Sequence, residues 1–130
     1  MSFSILIVDD EPDIADLFRQ RFRREVRQRR YVLHFAVSGE EALRQLAEIH
    51  PELIVMLSDI NMPGMDGLEL LREIRSLRPE LPVLMVTAYG DDDRKRRADN
   101  LGAAAFLSKP VDFDQLKQHL LQLMPVASDK

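Results

Sequence analysis

Along its 130 residues the chain alternates short apolar runs with longer stretches, most of whose apolar residues recur at helical spacing, five of each. Unbroken runs suit strands buried on both faces, and spacings of three and four residues suit helices with one buried stripe. Ile5-Leu6-Ile7-Val8 is the first run. It ends in Asp9-Asp10, and Pro12 then occupies a favoured first-turn position ahead of Ile14, Leu17, Phe18, Phe22 and Val26. Tyr31 to Ala36, rich in aromatic and β-branched residues, predicts the second strand. Ser38-Gly39-Glu40-Glu41 carries a capping-box pattern and opens a helix that His50-Pro51 stops. Leu53 to Leu57, Val83 to Val86 and Ala104 to Leu107 predict the remaining strands. A helix through Leu70, Leu71, Ile74 and Leu77 follows a loop with Pro63, Gly64 and Gly67. Another covers Asp91 to Leu101 and ends at Gly102, and the last opens at Asp112 with Phe113, Leu116, Leu120 and Leu123 on one face.

This alternation predicts an α/β fold: a doubly wound, five-stranded parallel sheet with five helices, in the flavodoxin-like order 2-1-3-4-5. Residues 1–124 form one domain and 125–130 a short tail, with no linker, repeat or output domain expected. The chain has no cysteine, which excludes a disulfide framework, a thiolate metal site and a cysteine nucleophile. No apolar run approaches the roughly 18 residues of a membrane span. Met-Ser-Phe-Ser lacks the basic region of a signal peptide, so the expected compartment is the cytoplasm. A net charge of −4 gives no support to bulk nucleic-acid binding, yet Arg19 to Arg30 holds seven arginines against one glutamate.

In such a sheet, ligands gather beyond the carboxyl ends of the strands, near the switch point between the first and third. There the sequence places Asp9-Asp10-Glu11, Ser58-Asp59, Thr87-Ala88 and Ser108-Lys109-Pro110. Taken singly, each has an ordinary reading: Asp10 as a helix cap, Asp59 as a turn residue, Thr87 as structural, Lys109 as a solvated cation. Their coincidence at four neighbouring strand ends points to chemistry instead. Clustered carboxylates repel, raising at least one pKa unless a cation joins them. Oxygen-only ligands suit Mg²⁺, with Mn²⁺ as a substitute. A metal, an ammonium and a hydroxyl around carboxylates are the parts of phosphoryl chemistry, with one carboxylate left as nucleophile. His34 lies mid-strand, His50 at a helix stop and His119 in the last helix, so none is placed as a general base.

The segments Ile7-Val8-Asp9-Asp10-Glu11-Pro12, Ser58-Asp59-Ile60-Asn61-Met62-Pro63-Gly64-Met65-Asp66-Gly67, Val86-Thr87-Ala88 and Phe106-Leu107-Ser108-Lys109-Pro110 closely resemble the receiver domain of two-component response regulators. The resemblance runs from Ile5 to Leu123. It implies that Asp59 accepts a phosphoryl group from the phosphohistidine of a histidine kinase or phosphotransfer protein. It also implies that Asp9, Asp10, Asp59 and the Asn61 carbonyl hold Mg²⁺, and that Thr87 and Lys109 bind the phosphoryl oxygens. Phe106 matches a switch aromatic, usually Tyr, whose rotamer follows Thr87. Asn61 and Tyr89 match variable positions that tune acyl-phosphate lifetime, and the Lys109-Pro110 bond matches a cis peptide. The implied signalling face comprises the Asp91–Leu101 helix, the fifth strand and the last helix, with Tyr89 and Phe106. It controls a downstream protein effector or output domain, and the family allows a homodimer.

Two features stand beside the resemblance. The stretch before the second strand is one helical turn longer than usual, and Arg19, Arg23, Arg27 and Arg30 form a stripe on it. Like charges at this spacing cost a few tenths of a kcal/mol each. A solvated face explains them, as does an acidic partner or an intramolecular carboxylate cluster; direct nucleic-acid binding is not expected, because no recognition motif accompanies the charge. The Asp91–Leu101 helix offers little apolar area and so belongs to the least stable part of the domain, where a charge change can bias two arrangements. The reading is a switch that catalyses only its own phosphorylation and dephosphorylation, not a metabolic enzyme. The alternatives are an unphosphorylated pseudo-receiver that acts as a docking module and a haloacid-dehalogenase-type phosphatase. The phosphatase would need an Asp at position 61 and a nucleophile after the first strand.

Overall fold

A computed structural model describes residues 3–48, 54–62, 64–88 and 92–123. The strands are β1 (Phe3–Val8), β2 (Tyr31–Ala36), β3 (Ile54–Asp59), β4 (Val83–Thr87) and β5 (Ala105–Ser108). The helices are α1 (Asp13–Arg21), α2 (Arg23–Arg27), α3 (Gly39–Leu46), α4 (Gly67–Leu77), α5 (Asp92–Asn100) and α6 (Phe113–Leu123). All strands pair in parallel in the order β2-β1-β3-β4-β5, as the sequence predicts. Tyr89, Asp91, the His50-Pro51 helix stop, Leu53, Pro63 and the tail beyond Leu123 lie outside the described residues.

Alternation along each strand sends its side chains to two cores. Leu6, Val8, Met56 and Met85 pack under α3, α4 and α5 with Ala42, Leu71, Ile74 and Ala98. Ile5, Ile7, Leu57 and Leu84 face the other way, against Phe18 and Phe22 on one side and Leu116 and Leu120 of α6. Burial on both faces is why the runs read as apolar without alternation.

The sequence predicts one helix from Asp13 past Val26, and the structure divides it at Phe22, whose φ of −105° and ψ of 13° leave the helical range. The joint is a bend rather than a stop, because Phe22 N–H still donates to the Phe18 carbonyl and Val26 N–H to the Phe22 carbonyl, each at 2.9 Å. Its cause is Lys117 of α6, whose Nζ donates to the Arg21 carbonyl at 2.9 Å and so enters the helical hydrogen-bond ladder. Phe22, fully buried, stacks on Phe18 and meets Tyr31 and Phe113 edge-on.

Lys117 also pairs with Glu25 Oε2 at 2.9 Å. Burial pushes the Glu25 carboxyl up, but the Lys117 hydrogen bond and the charges of Lys117 and Arg30 outweigh it, holding the carboxyl below its ordinary value. A depressed carboxyl stabilises the fold above the unfolded-state pKa and loses that contribution as pH falls through the folded one. Glu25→Gln is therefore expected to lower stability by about 1 kcal/mol near neutral pH. In urea titrations the gap to wild type should close as the pH falls below the ordinary glutamate range.

The added turn ends in a complete Schellman pattern: Arg30 N–H donates to the Glu25 carbonyl at 2.9 Å and Arg29 N–H to the Val26 carbonyl at 3.0 Å. Arg29 sits there at φ +61°, a left-handed position that favours glycine. Arg29→Gly is expected to raise stability by about 1 kcal/mol, read as a higher urea midpoint with unchanged slope.

At α3, Ser38 Oγ accepts the Glu41 N–H, but the Glu41 carboxylate returns to the Val37 N–H rather than to that of Ser38. A full capping box forms instead at α4, between Asp66 and Glu69. It anchors the start of that helix just beyond the loop that follows β3.

Candidate functional site

The carboxyl ends of β1, β3, β4 and β5 lie side by side because the strand order makes these strands consecutive. Register carries the alignment to single residues: Val8 pairs with Ser58, Asp59 with Val86, and Thr87 with Ser108. Asp9 and Asp10 thus leave the sheet beside Asp59. Lys109 follows Ser108, and its N–H donates to the Thr87 carbonyl at 3.0 Å. The Lys109–Pro110 peptide is cis.

Asp59 is only 3% exposed, and each of its carboxylate oxygens has a donor. Oδ2 accepts from Lys109 Nζ at 2.7 Å and Oδ1 from the Asn61 N–H at 3.1 Å. Carboxylate oxygens of Asp9, Asp10 and Asp59 lie within 4.8 Å of one another. Burial and the nearby Asp59 charge push the Asp9 carboxyl above the usual aspartate value, against the opposing Glu11 N–H bond and Lys109 charge. Burial favours deprotonation of Lys109, but its hydrogen bond to Asp59 and the charges of Asp59, Asp9 and Glu11 hold its ammonium above the usual lysine value.

Negative charge at this corner thus exceeds what one ammonium offsets. An all-oxygen donor set with surplus charge fits a hard divalent cation such as Mg²⁺ or Mn²⁺. Among the described residues it is the one such acidic cluster.

Two residues beneath the site, Gly67 and Arg94, have supporting roles that the sequence reading did not assign. Gly67 N–H donates to the Ile60 carbonyl at 2.9 Å, and a Cβ at position 67 would stand 2.3 Å from the Asp59 carbonyl oxygen. Asp66-Gly67-Leu68-Glu69 has a helix-cap spacing that could have placed this glycine in the first turn, though not against Asp59. Arg94 of α5 donates to Asn61 Oδ1, and its Nη2 lies 3.7 Å from Asp66 Oδ2. It is one of four consecutive basic residues, and nothing local marks it out.

Thr87 is buried at the end of β4. Phe106 is partly buried against the core under α3 to α5, with Lys95 Nζ 5.4 Å from its ring centroid. Tyr89 is outside the described residues. Of the described histidines, His34 meets Ser4 Oγ at 3.2 Å across the sheet edge and His119 lies in α6, both away from the carboxylates. The structure thus gathers Asp9, Asp10, Asp59, Asn61 and Lys109, sets Thr87 at the adjoining strand end, and leaves Phe106 on the neighbouring face.

Comparison with known proteins agrees with this arrangement. The family model for the response regulator receiver domain matches residues 5–121. Sporulation initiation phosphotransferase F of Bacillus subtilis (strain 168) is 32% identical over 129 residues, covering 99% of each chain. Regulatory protein AtoC of Escherichia coli (strain K12) is 36% identical over 128 residues; the match covers 96% of this chain and 26% of AtoC. A solved response regulator receiver domain protein from Clostridium thermocellum superimposes with a TM-score of 0.83 at 30% identity, over 93% of each chain. A parallel sheet in the order 2-1-3-4-5, an acidic corner at its carboxyl edge and a family match along nearly the whole chain lead to one conclusion: the chain belongs to the response regulator receiver domain family.

Proposed function

We propose that this receiver domain is a phosphorylation-controlled switch with Asp59 as its phosphoacceptor. The observation that carries the reading is the buried Asp59 carboxylate, held between Lys109 and the Asn61 N–H beside Asp9 and Asp10. An Asp59 oxygen attacks the phosphorus of a phosphohistidine, presented by a histidine kinase or phosphotransfer protein. The O–P bond forms as the P–N bond breaks, and the imidazole leaves with the electron pair. Lys109 and the Thr87 hydroxyl donate to the phosphoryl oxygens. Asp9, Asp10, Asp59 and the Asn61 carbonyl would hold Mg²⁺, or Mn²⁺ in its place, which supplies positive charge to the phosphoryl oxygens. Water attack on the acyl phosphate resets the switch, at a rate assigned to Asn61 and Tyr89.

The output face comprises α5, β5 and α6, with Thr87 and Phe106 as the switch pair. In support, α5 buries only Ala98 fully, and Arg94 ties its first turn to the loop after Asp59. So weakly packed a helix is the element whose placement a charge change at Asp59 would bias. Residues 1–124 act as one module, in the cytoplasm, signalling to a protein effector or an output domain. The name of the Bacillus relative, a phosphotransferase, supports the transfer chemistry. A phosphatase of the haloacid-dehalogenase type is disfavoured by Asn at position 61 and by the buried carboxylate on β3, and a pseudo-receiver by the filled site.

Incubation with a small acyl phosphate or phosphoramidate and Mg²⁺, followed by intact-mass spectrometry, tests the reading. One phosphoryl group per chain is expected, absent without Mg²⁺ and removed by hydroxylamine. If the protein binds Mg²⁺ yet gains no phosphoryl group from either donor or from a phosphorylated kinase, the phosphoacceptor assignment is wrong.

A further inference from the structure

The arginine-rich segment, which the phosphoacceptor chemistry does not use, folds against the free edge of the sheet. β2 pairs with β1 alone, so its other edge has no strand partner; there Gln45 Nε2 caps the Phe35 carbonyl at 2.6 Å, which leaves the Tyr31–Leu33 part as the open edge. Its sequence, Tyr-Val-Leu-His-Phe-Ala, contains no lysine, proline or acidic residue of the kind that usually blunts such an edge. Along this edge runs a groove of about 580 Å³, with Arg19, Arg23 and Arg27 on the helical side and Val32, Leu33 and Phe35 on the strand side. The Arg19 guanidinium lies 4.8 Å from the Phe35 ring centroid, which places the cationic rim over the strand itself. Among the described residues Arg23 and Arg27 take part in no ion pair, and Val26 and Val32 are 42% and 43% exposed.

We propose that the β2 edge is a docking surface for an extended acidic segment of a partner protein, which adds to the sheet as a sixth strand. Side chains of an added strand alternate between faces. Those on the α1–α2 side would meet the arginines, and those on the other side would meet Val32. The fitting sequence therefore alternates acidic and apolar residues. A second copy of this chain is the wrong occupant, because a twofold contact through β2 would bring two arginine stripes together. Nucleic acid fits less well, since the strand side of the groove is apolar and carries the unpaired backbone groups that a strand would satisfy. This surface lies along the sheet edge and uses neither Asp59 nor Lys109, so it acts whether or not Asp59 is modified.

The test uses the full chain and a fluorescein-labelled eight-residue peptide of alternating Glu and Val, read by anisotropy. Three further probes accompany it: the Gln-Val and Lys-Val counterparts, and a Glu-Val peptide N-methylated at alternate amides in either register. Expected results are saturable binding of Glu-Val and at least tenfold weaker binding of Gln-Val. Loss in one N-methylated register and slowed amide exchange across Tyr31–Ala36 should accompany them. Arg23→Glu with Arg27→Glu, both at exposed positions, should weaken Glu-Val at least tenfold and create binding of Lys-Val, with unchanged circular dichroism. Equal affinity for Gln-Val, full affinity in both N-methylated registers, or no exchange protection in β2 would overturn the proposal. Binding of a duplex DNA probe that depends on Arg23 and Arg27, with none of Glu-Val, would overturn it in favour of a nucleic-acid surface.

Discussion

Asp59→Asn protein is expected to gain no phosphoryl group under conditions that convert the wild type, and Lys109→Met to be phosphorylated at least a hundredfold more slowly. The first substitution keeps the shape but replaces the nucleophilic oxygen by an amide. Asp59 Oδ1 faces the Asn61 N–H and Oδ2 faces the Lys109 ammonium, so whichever way the amide turns, its NH₂ meets a donor. The second keeps the nucleophile and removes the cation that meets developing charge on the phosphoryl oxygens. It also leaves a 3%-exposed carboxylate without its counter-ion. Breaking a buried pair costs about 3–5 kcal/mol, and because Lys109 itself is a third exposed, about 2 kcal/mol is expected here. The same missing charge should tighten Mg²⁺ binding at least tenfold, since the ammonium and a divalent cation draw on one set of carboxylates. Calorimetric titration with Mg²⁺ and intact-mass time courses separate the two effects. Unchanged Mg²⁺ affinity together with near-wild-type phosphorylation would remove Lys109 from the site.

Gly67→Ala is expected to destabilise the fold by about 3 kcal/mol and to slow phosphorylation with it. Its new methyl carbon would stand 2.3 Å from the Asp59 carbonyl oxygen, 2.7 Å from Ile60 Cα and 3.0 Å from the end of the Met85 side chain. Met85 can turn away, but two of the three obstacles are backbone. Relief requires the start of α4 to move off β3, carrying the Asp66–Glu69 cap and the Ile60 carbonyl bond with it. Gly64 is the contrast. It has no neighbour within 4 Å of an added Cβ, and its φ of +74° is the only obstacle. Gly64→Ala should therefore cost only about 1 kcal/mol. Urea denaturation of both variants checks the difference; equal losses would mean that the approach of Gly67 to the Asp59 backbone is not what the fold depends on.

How much of this was legible beforehand varies from residue to residue. Four strands were, because apolar runs report burial on both faces without reference to any partner, and the edge strand Tyr31–Ala36 was legible from its aromatic and β-branched residues. Asp9, Asp10, Asp59, Thr87 and Lys109 were legible as candidates for the same reason: each stands where a run ends, and the strand order makes those ends neighbours. Tyr31 to Ala36 matched its strand residue for residue. The α1–α2 bend was not visible, since the apolar period passes through Phe22 unbroken and the disturbance comes from Lys117, distant in sequence. Nor did Arg94 differ locally from Lys95, Arg96 or Arg97.

Local periodicity and the residue types at strand ends therefore determined the strands and the candidate site residues, because both signals depend on neighbours a few positions apart. The order that brings those ends together came from the crossover rules of parallel sheets. Tertiary structure alone decided the 2.7 Å pairing of Lys109 with Asp59, fifty positions earlier, and the close approach of Gly67 to the strand beneath it. It also decided which arginine reaches Asn61 and which arginines rim the β2 edge. Those outcomes depend on distances set by packing between elements remote in sequence, and a charge or a missing Cβ acquires its role only when such a distance is fixed.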